Sequence, residues 1–377
     1  MTRLIYLDNA ATTKIDDAVL EAMMPYLKEQ YGNASALYQL GSDARDAVEN
    51  ARRVIANSID ADFDEVVFTS GGTESNNTAI KTIAINSDCK HIITTKIEHP
   101  SVDKVCKILE TQGFNITYLD VDENGHINIE QLEQSLKQNK TAIVSIIHAN
   151  NVIGTIQKIK EIYDLVKKYD SILHIDACQS YTKIKLNAHN ADLITLNAHK
   201  IHGPKGIGAL YVSKDIMFKS WQQGGTQEFN KRAGTEAVAL IVGFAKAVEL
   251  KTDYRKVKEL RDYFVNRTTK EIPEVRINHD PDGLPNIANL SFKAVEGESI
   301  LLQLDAFNIA VNTGSACSSK TLEADKILLS IGLSHEQAHS SIRFSFSKYN
   351  TKDEVDIVIE KLKVIIEKLR SMSPFWS

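Results

Sequence analysis

Little in this chain marks a special environment. Cysteine is scarce: Cys89, Cys106, Cys178 and Cys317 are the four among 377 residues, none in a C-x-x-C pair or at a spacing that suits zinc. A disulfide framework and a structural zinc site are therefore not expected, and each thiol is either a small buried hydrophobe or a reactive centre. No apolar run reaches the roughly 18 residues of a membrane span. The opening "MTRLIYLDNAATT" has no long apolar core and no small-residue cleavage site, which speaks against a secretion signal. The lysines are scattered, and the formal net charge of −5 gives no reason to expect nucleic-acid binding as the main activity. There is no internal repeat, no low-complexity segment and no proline-rich linker. What is left, with 43% hydrophobic and 25% charged residues, is the profile of a soluble enzyme, and a cytoplasmic one is expected.

A chain this long exceeds one compact core, so two domains are expected. Residues 60–212 alternate between short β-rich runs and helix-like segments. The runs are "EVVFT", "HIITT", "NITYL", "TAIVSII", "SILHI", "DLITL" and "IGALYV", with helices such as 101–111 and 159–169 between most of them. Several runs are apolar on consecutive positions, which predicts strands buried on both faces and a mainly parallel sheet under helices. Residues 236–267 read as one long amphipathic helix linking to a smaller α+β part. There "NIANLSF", "NIAVNTGS" and "SSIRFSFS" read as strands and 352–371 as a closing helix.

Ligands of α/β sheets sit at the carboxyl ends of strands, so the residues after each run carry the functional signal. "SGGTESNN" (70–77) offers glycines and a helix N-terminus to an anion; taken alone it is more simply a turn with an N-cap, and it lacks the lysine of a P-loop. His99 in "KIEHPS" is an N-cap or surface histidine, or else a ring stacked on a flat cofactor or a general acid/base. Asn150 and Asn151 in "HANNVIG" are turn formers or hold a ring hydroxyl. Asp176, directly after a buried strand, needs a partner, and a protonated pyridine nitrogen would serve. Lys200, in "NAHK" with Asn197 and His199, ends a strand that otherwise reads as core; a partly desolvated lysine becomes a nucleophile. Together these groups suit an aldehyde cofactor with a phosphate, a ring hydroxyl and a basic ring nitrogen, which describes pyridoxal 5′-phosphate.

The motifs "YLDNAATT", "TSGGTESNN", "EHPS", "HANNVIG", "DACQS", "NAHKIHGPKGIGALYV", "RAGT", "GSACSS" and "SSIRFS", in this order along nearly the whole chain, resemble those of the NifS/IscS-type cysteine desulfurases. These are class V, fold-type I enzymes that use pyridoxal phosphate. The resemblance implies a large domain with a mainly parallel seven-stranded sheet and an N-terminal arm (1–250), and a small α+β domain (251–377) carrying the catalytic cysteine loop. It implies the conversion of L-cysteine to L-alanine with a persulfide left on Cys317. Lys200 would bind the cofactor as a Schiff base, Asp176 would pair with the ring nitrogen and Gln179 with the ring hydroxyl. His99 would stack on the ring and move protons. Asn151 would hold ring and substrate, and Gly72, Thr73, Asn197 and His199 would take the phosphate. Thr235 would reach the phosphate of the other subunit in a homodimer, and Arg343 would bind the substrate carboxylate as a fork. No resident metal is implied, although Cys317 could transiently ligate an iron–sulfur cluster. Cys317 also stands in a small, polar, loop-like stretch, 312–326, suited to a reactive thiol.

The chain departs from the family pattern at Asn197, where a serine is usual, at Cys178 in place of threonine, at Val152 in place of an acidic residue, and in "YGNAS", which lacks a proline. No catalytic group is lost. The sequence stops at "SPFWS" (373–377), and this short C-terminus weakens the expectation of an iron–sulfur scaffold as acceptor, whereas the length of the stretch after Cys317 fits direct transfer. Delivery to a tRNA-thiolating enzyme is thus as plausible as delivery to a scaffold. Other readings are a selenocysteine or sulfinate lyase, an aminotransferase, and a non-catalytic sulfur relay.

Overall fold

The computed structural model describes residues 3–313 and 324–376. Its strands are β1 (Ile5–Tyr6), β2 (Val66–Thr69), β3 (His91–Thr95), β4 (Asn115–Leu119), β5 (Thr141–Ile147), β6 (Ile172–Asp176), β7 (Leu193–Asn197), β8 (Gly208–Val212), β9 (Val275–Ile277), β10 (Ile287–Phe292), β11 (Ile309–Ala310) and β12 (Ser341–Ser345).

The β-rich runs of residues 60–212 form one seven-stranded sheet in the order β2-β8-β7-β6-β5-β3-β4. The pairs from β4 to β7 are parallel, and β8 runs antiparallel to both its neighbours. The expected mainly parallel sheet is borne out. Its consecutive apolar positions are explained by cover on both faces: Val66 and Phe68 pack into one core, while the intervening Val67 packs into another with Ile80, Val102 and Leu210.

A second layer of structure gathers around the antiparallel sheet β12-β10-β9. Its core joins Phe264, Leu290, Phe344, Val358 and Leu362 with Ile5 and Leu7 from the start of the chain. β1 reaches that core by pairing with β11, Ile5 opposite Ile309. A few residues on, the backbone N–H of Thr13 donates to His199 O, at 2.9 Å, in the turn after β7. The first residues of the chain therefore touch both cores.

Two expectations need correction. The long helix over 236–267 is two helices, Val238–Glu249 and Tyr254–Glu271. Between them Leu250 and Asp253 leave helical conformation, and the Asp253 carboxylate caps the second helix by accepting the Arg255 N–H. The two helices serve different cores, Ile241 and Phe244 in one and Val257 and Phe264 in the other, so the chain must turn there. Of the strand expected over 308–315, the described residues form Ile309–Ala310, followed by a bridge from Asn312 to Arg343.

The segment before the first of these helices is tied down by a buried ion pair. Arg52 donates to both carboxylate oxygens of Glu228 at 2.6 and 2.8 Å, and Glu228 also accepts the Phe68 N–H of β2 at 2.7 Å. This holds Glu228, Phe229 and Asn230 in consecutive left-handed conformations, with φ of 49°, 58° and 61°.

Candidate active site

The carboxyl ends of β2, β3, β5, β6 and β7 converge on a cavity of about 230 Å³. Gly72, Thr73 and Asn76 come from the turn and helix after β2, His99 and Ser101 from the segment after β3. Asn151 follows β5; Asp176, Cys178 and Gln179 come from the end of β6; Asn197, His199 and Lys200 come from the end of β7.

Each wall has a local cause. Gly71 has φ of 148°, a conformation open to glycine, and turns the chain from β2 into the helix Gly72–Asn86. A side chain on Gly72 would collide with Cys178 Sγ, 2.5 Å from its Cβ, so the bare backbone N–H groups of this helix start can face the cavity. His99 caps the helix Pro100–Thr111: its Nδ1 accepts the Ser101 N–H at 3.1 Å. A neutral ring in that role carries its proton on Nε2. Burial, helped by the charge of Lys200, holds the His99 pKa below its ordinary value, so neutral is the state expected at pH 7.

Asp176 is fully buried but not isolated. Its Oδ1 accepts the Cys178 N–H at 2.9 Å and its Oδ2 accepts from Asn76 Nδ2 at 2.8 Å. Burial pushes the carboxyl up; Cys178, the His99 ring and Asn76 outweigh it and hold the group below the usual carboxylate value. The site thus contains a buried carboxylate that stays charged. Burial and Asp176 together push the neighbouring Cys178 thiol far up, so it stays protonated. His199 hydrogen-bonds Thr12 Oγ1 at 3.2 Å through Nδ1, and burial brings its pKa down to about 4.

Four buried side-chain oxygens of residues lining the cavity have no partner among the described residues: Asn76 Oδ1, Asn151 Oδ1, Gln179 Oε1 and Asn197 Oδ1. Gln179 is held in place by donating Nε2 to Ala10 O at 2.8 Å, which leaves its oxygen for a hydroxyl donor. A charged buried carboxylate, an amide oxygen needing a donor, a lysine, and an exposed helix start behind a glycine fit the ring nitrogen, hydroxyl, aldehyde and phosphate of pyridoxal phosphate respectively.

The profile of the class-V aminotransferases matches residues 5–358. The chain is 47% identical, over all of its own length and 98% of the other, to cysteine desulfurase IscS of Dictyoglomus turgidum. Among solved structures, a NifS-like protein superposes with a TM-score of 0.91 at 34% identity, covering 97% of this chain and 100% of that one. The protein SspA, solved in complex with cysteine, superposes at 0.83 with 33% identity over 92% of this chain and 100% of its own.

The chain is a class-V aminotransferase family member of the NifS/IscS-like cysteine desulfurase group. Enzymes of this family depend on pyridoxal phosphate.

Of the residues singled out in the sequence, this family fold brings Gly72, Thr73, His99, Asn151, Asp176, Gln179, Asn197, His199 and Lys200 to the one cavity. Arg343 lies beside it, donating Nη1 to Asn151 O at 2.9 Å. Thr235 is exposed and does not line the cavity within this chain. Cys317 lies outside the described residues. Asn150 proves to be a turn former: its Oδ1 accepts the N–H groups of Val152 and Ile153 at 2.8 and 3.0 Å. Reading strand ends alone misses Asn76 and Ser101. Asn76 stands four residues after Gly72, one helical turn along the same face, and that spacing is the signal that would find it. Also missed is Lys183, which is buried and donates to Gln179 O at 2.7 Å; burial, then the charge of Lys200, lower its pKa to about 7.

No helix among the described residues is long and apolar enough to cross a membrane.

Proposed function

We infer that this chain is a cysteine desulfurase that turns L-cysteine into L-alanine and takes the sulfur onto Cys317 as a persulfide. The observation that carries the reading is a charged, fully buried Asp176 in one cavity with His99 and Lys200, in a chain similar over its whole length to enzymes of that name. Pyridoxal phosphate, when bound, supplies an aldehyde for amines and a ring that accepts an electron pair from the substrate α-carbon. Lys200 would provide the amine that holds the cofactor and would accept the α-proton. Asp176, kept anionic by its donors, would hold a proton on the ring nitrogen. Neutral His99 would offer its Nε2–H to the cofactor and serve proton movement. Gln179 orients the ring hydroxyl, and Gly72, Thr73, Asn197 and His199 hold the phosphate. Arg343 and Asn151 fix the substrate. The Cys317 thiolate attacks the substrate sulfur; the S–S bond forms, the C–S bond breaks, and its electron pair stays with carbon, which is protonated to give alanine.

The working unit in this reading is a cytoplasmic homodimer in which Thr235 completes the phosphate site of the other subunit. Each protomer divides into a large domain (1–250) and a small one (251–377). The persulfide is handed to an acceptor protein, either a tRNA-thiolating enzyme or an iron–sulfur scaffold; mixing the persulfidated enzyme with each identifies which accepts sulfur.

The central test is to record the visible spectrum of the purified protein, add L-cysteine with a reductant, and assay alanine and sulfide in wild type and Cys317→Ala. Stoichiometric alanine and sulfide, lost in the variant, is the expected result. Cofactor absorbance with no alanine from either protein would overturn the reading.

A further inference from the structure

Arg343 already holds a carboxylate. It lies on β12, is 5% exposed, and donates Nη2 to Asp8 Oδ1 at 2.7 Å while Nη1 is on Asn151 O. Its Nε is buried and has no partner among the described residues. The second oxygen of Asp8, Oδ2, accepts from Asn312 Nδ2 at 2.9 Å, so both carboxylate oxygens are engaged. The backbone fixes all three residues: Asp8 bridges to Ser345, and Asn312 bridges to Arg343. Another acid, Asp325, feels the charge of Arg343, but its Oδ1 caps a helix on the N–H groups of Ile327 and Leu328. Among the described residues, Asp8 is thus the acid bonded to this guanidinium.

A guanidinium has five N–H donors in a rigid fork. Asp8 and Asn151 use one on each terminal nitrogen and leave the Nε–H unmet in a buried setting. A buried donor without a partner is costly, and a substrate carboxylate is the group that would satisfy it. A free guanidinium could rotate toward other acceptors; this one is held at two points.

We propose that Asp8 is a positioning residue for substrate recognition: it clamps Arg343 so that the Nε–H edge meets the α-carboxylate of cysteine, and Asn312 holds Asp8 in that pose. This rests on the desulfurase reading above.

The test compares holoenzymes of wild type, Asp8→Asn, Asp8→Glu and Asn312→Ala. Alanine formation gives KM and kcat for L-cysteine. Changes in cofactor absorbance give the affinity for two amines, L-alanine, which has the carboxylate, and cysteamine, which lacks it. Asp8→Asn should raise KM by about 10-fold or more with kcat within about twofold, and weaken L-alanine equally. Its response to cysteamine should match wild type. Asn312→Ala should move the same parameters in the same direction by less, and it decides the matter if Asp8→Asn does not fold. Asp8→Glu should recover part of the loss. An unchanged or lowered KM in Asp8→Asn would overturn the proposal, because Asp8 would then be idle or a competitor. Equal weakening of L-alanine and cysteamine would also overturn it, because the damage would not be specific to the carboxylate. If wild type forms no alanine from cysteine, the desulfurase reading fails, and the L-alanine and cysteamine titrations alone decide the role of Asp8.

Discussion

Two carboxyl groups stand fully buried at strand ends in the same sheet, and they end in opposite states. Asp176, at the end of β6, is held below its ordinary pKa. Glu98, just after β3, is pushed up to about 8, chiefly by burial and also by the charges of Asp176 and Asp103. Burial is shared, so it does not decide the difference. Both oxygens of Asp176 have donors. Only one oxygen of Glu98 does, taking the Thr95 hydroxyl and the Ile147 N–H at 2.8 Å each, while Oε2 has no partner among the described residues. Each acid takes two such hydrogen bonds, so their distribution and the neighbouring charges decide: donors on both oxygens and the His99 ring keep Asp176 charged, while at Glu98 an unpartnered oxygen and two nearby acids let burial prevail. One acid is kept charged; its neighbour is kept neutral at pH 7 as a hydrogen-bonded tie between the ends of β3 and β5.

This contrast can be broken from either side. The largest effect is expected for Asp176→Ala, which removes the charge itself: alanine formation from cysteine should fall on the order of 10²–10³-fold, read by steady-state assay with cofactor content checked by absorbance. Asn76→Ala should act in the same sense but more weakly, by roughly tenfold at pH 7, because Cys178 still donates. With one donor gone the Asp176 carboxyl titrates higher, so the acid limb of the rate profile should move to higher pH; an unmoved limb would mean that Asn76 does not support the charge. Glu98→Gln should have the smallest effect on rate, within about twofold, and show instead in stability. The folded-state pKa of Glu98, about 8, lies above the ordinary glutamate value of 4.5. Its contribution is therefore fully present below about pH 4.5 and is lost as pH rises through about 8. Thermal unfolding at pH 5 and pH 8.5 should show this decline in wild type and a flatter response in Glu98→Gln.

Much of this was legible in the residues. Short β-rich runs located all seven strands of the large sheet; several are apolar on consecutive positions because both their faces are covered, whereas the edge strand β4 is exposed at Asn115. Polar groups stood out where those runs stopped, which is why Asp176, His99 and Lys200 could be named. Legibility ended where a group's role depends on a distant part of the chain. Asn76 is one turn inside a helix, and its acid is 100 positions away. Glu98 was overshadowed by the histidine beside it, and its burial comes from β5. β1 is two residues long and is a strand because of β11. The helix break at 250–253 is four residues of ordinary composition, visible once two separate cores claim the two halves.

The pairing of β1 with β11 has a consequence for how the molecule is made. Asp8 and Arg343 are 335 positions apart. At the usual pace of synthesis, roughly 5–20 residues per second, about 20–70 seconds separate the appearance of the two. The seven-stranded sheet is complete in sequence by Val212, so it can assemble while most of the second core is still unmade. Through that interval the first strand has no partner to pair with. A ribosome-bound chain at that stage holds Asp176 at the end of one finished strand and Lys200 just after another, while Arg343 is still to be made.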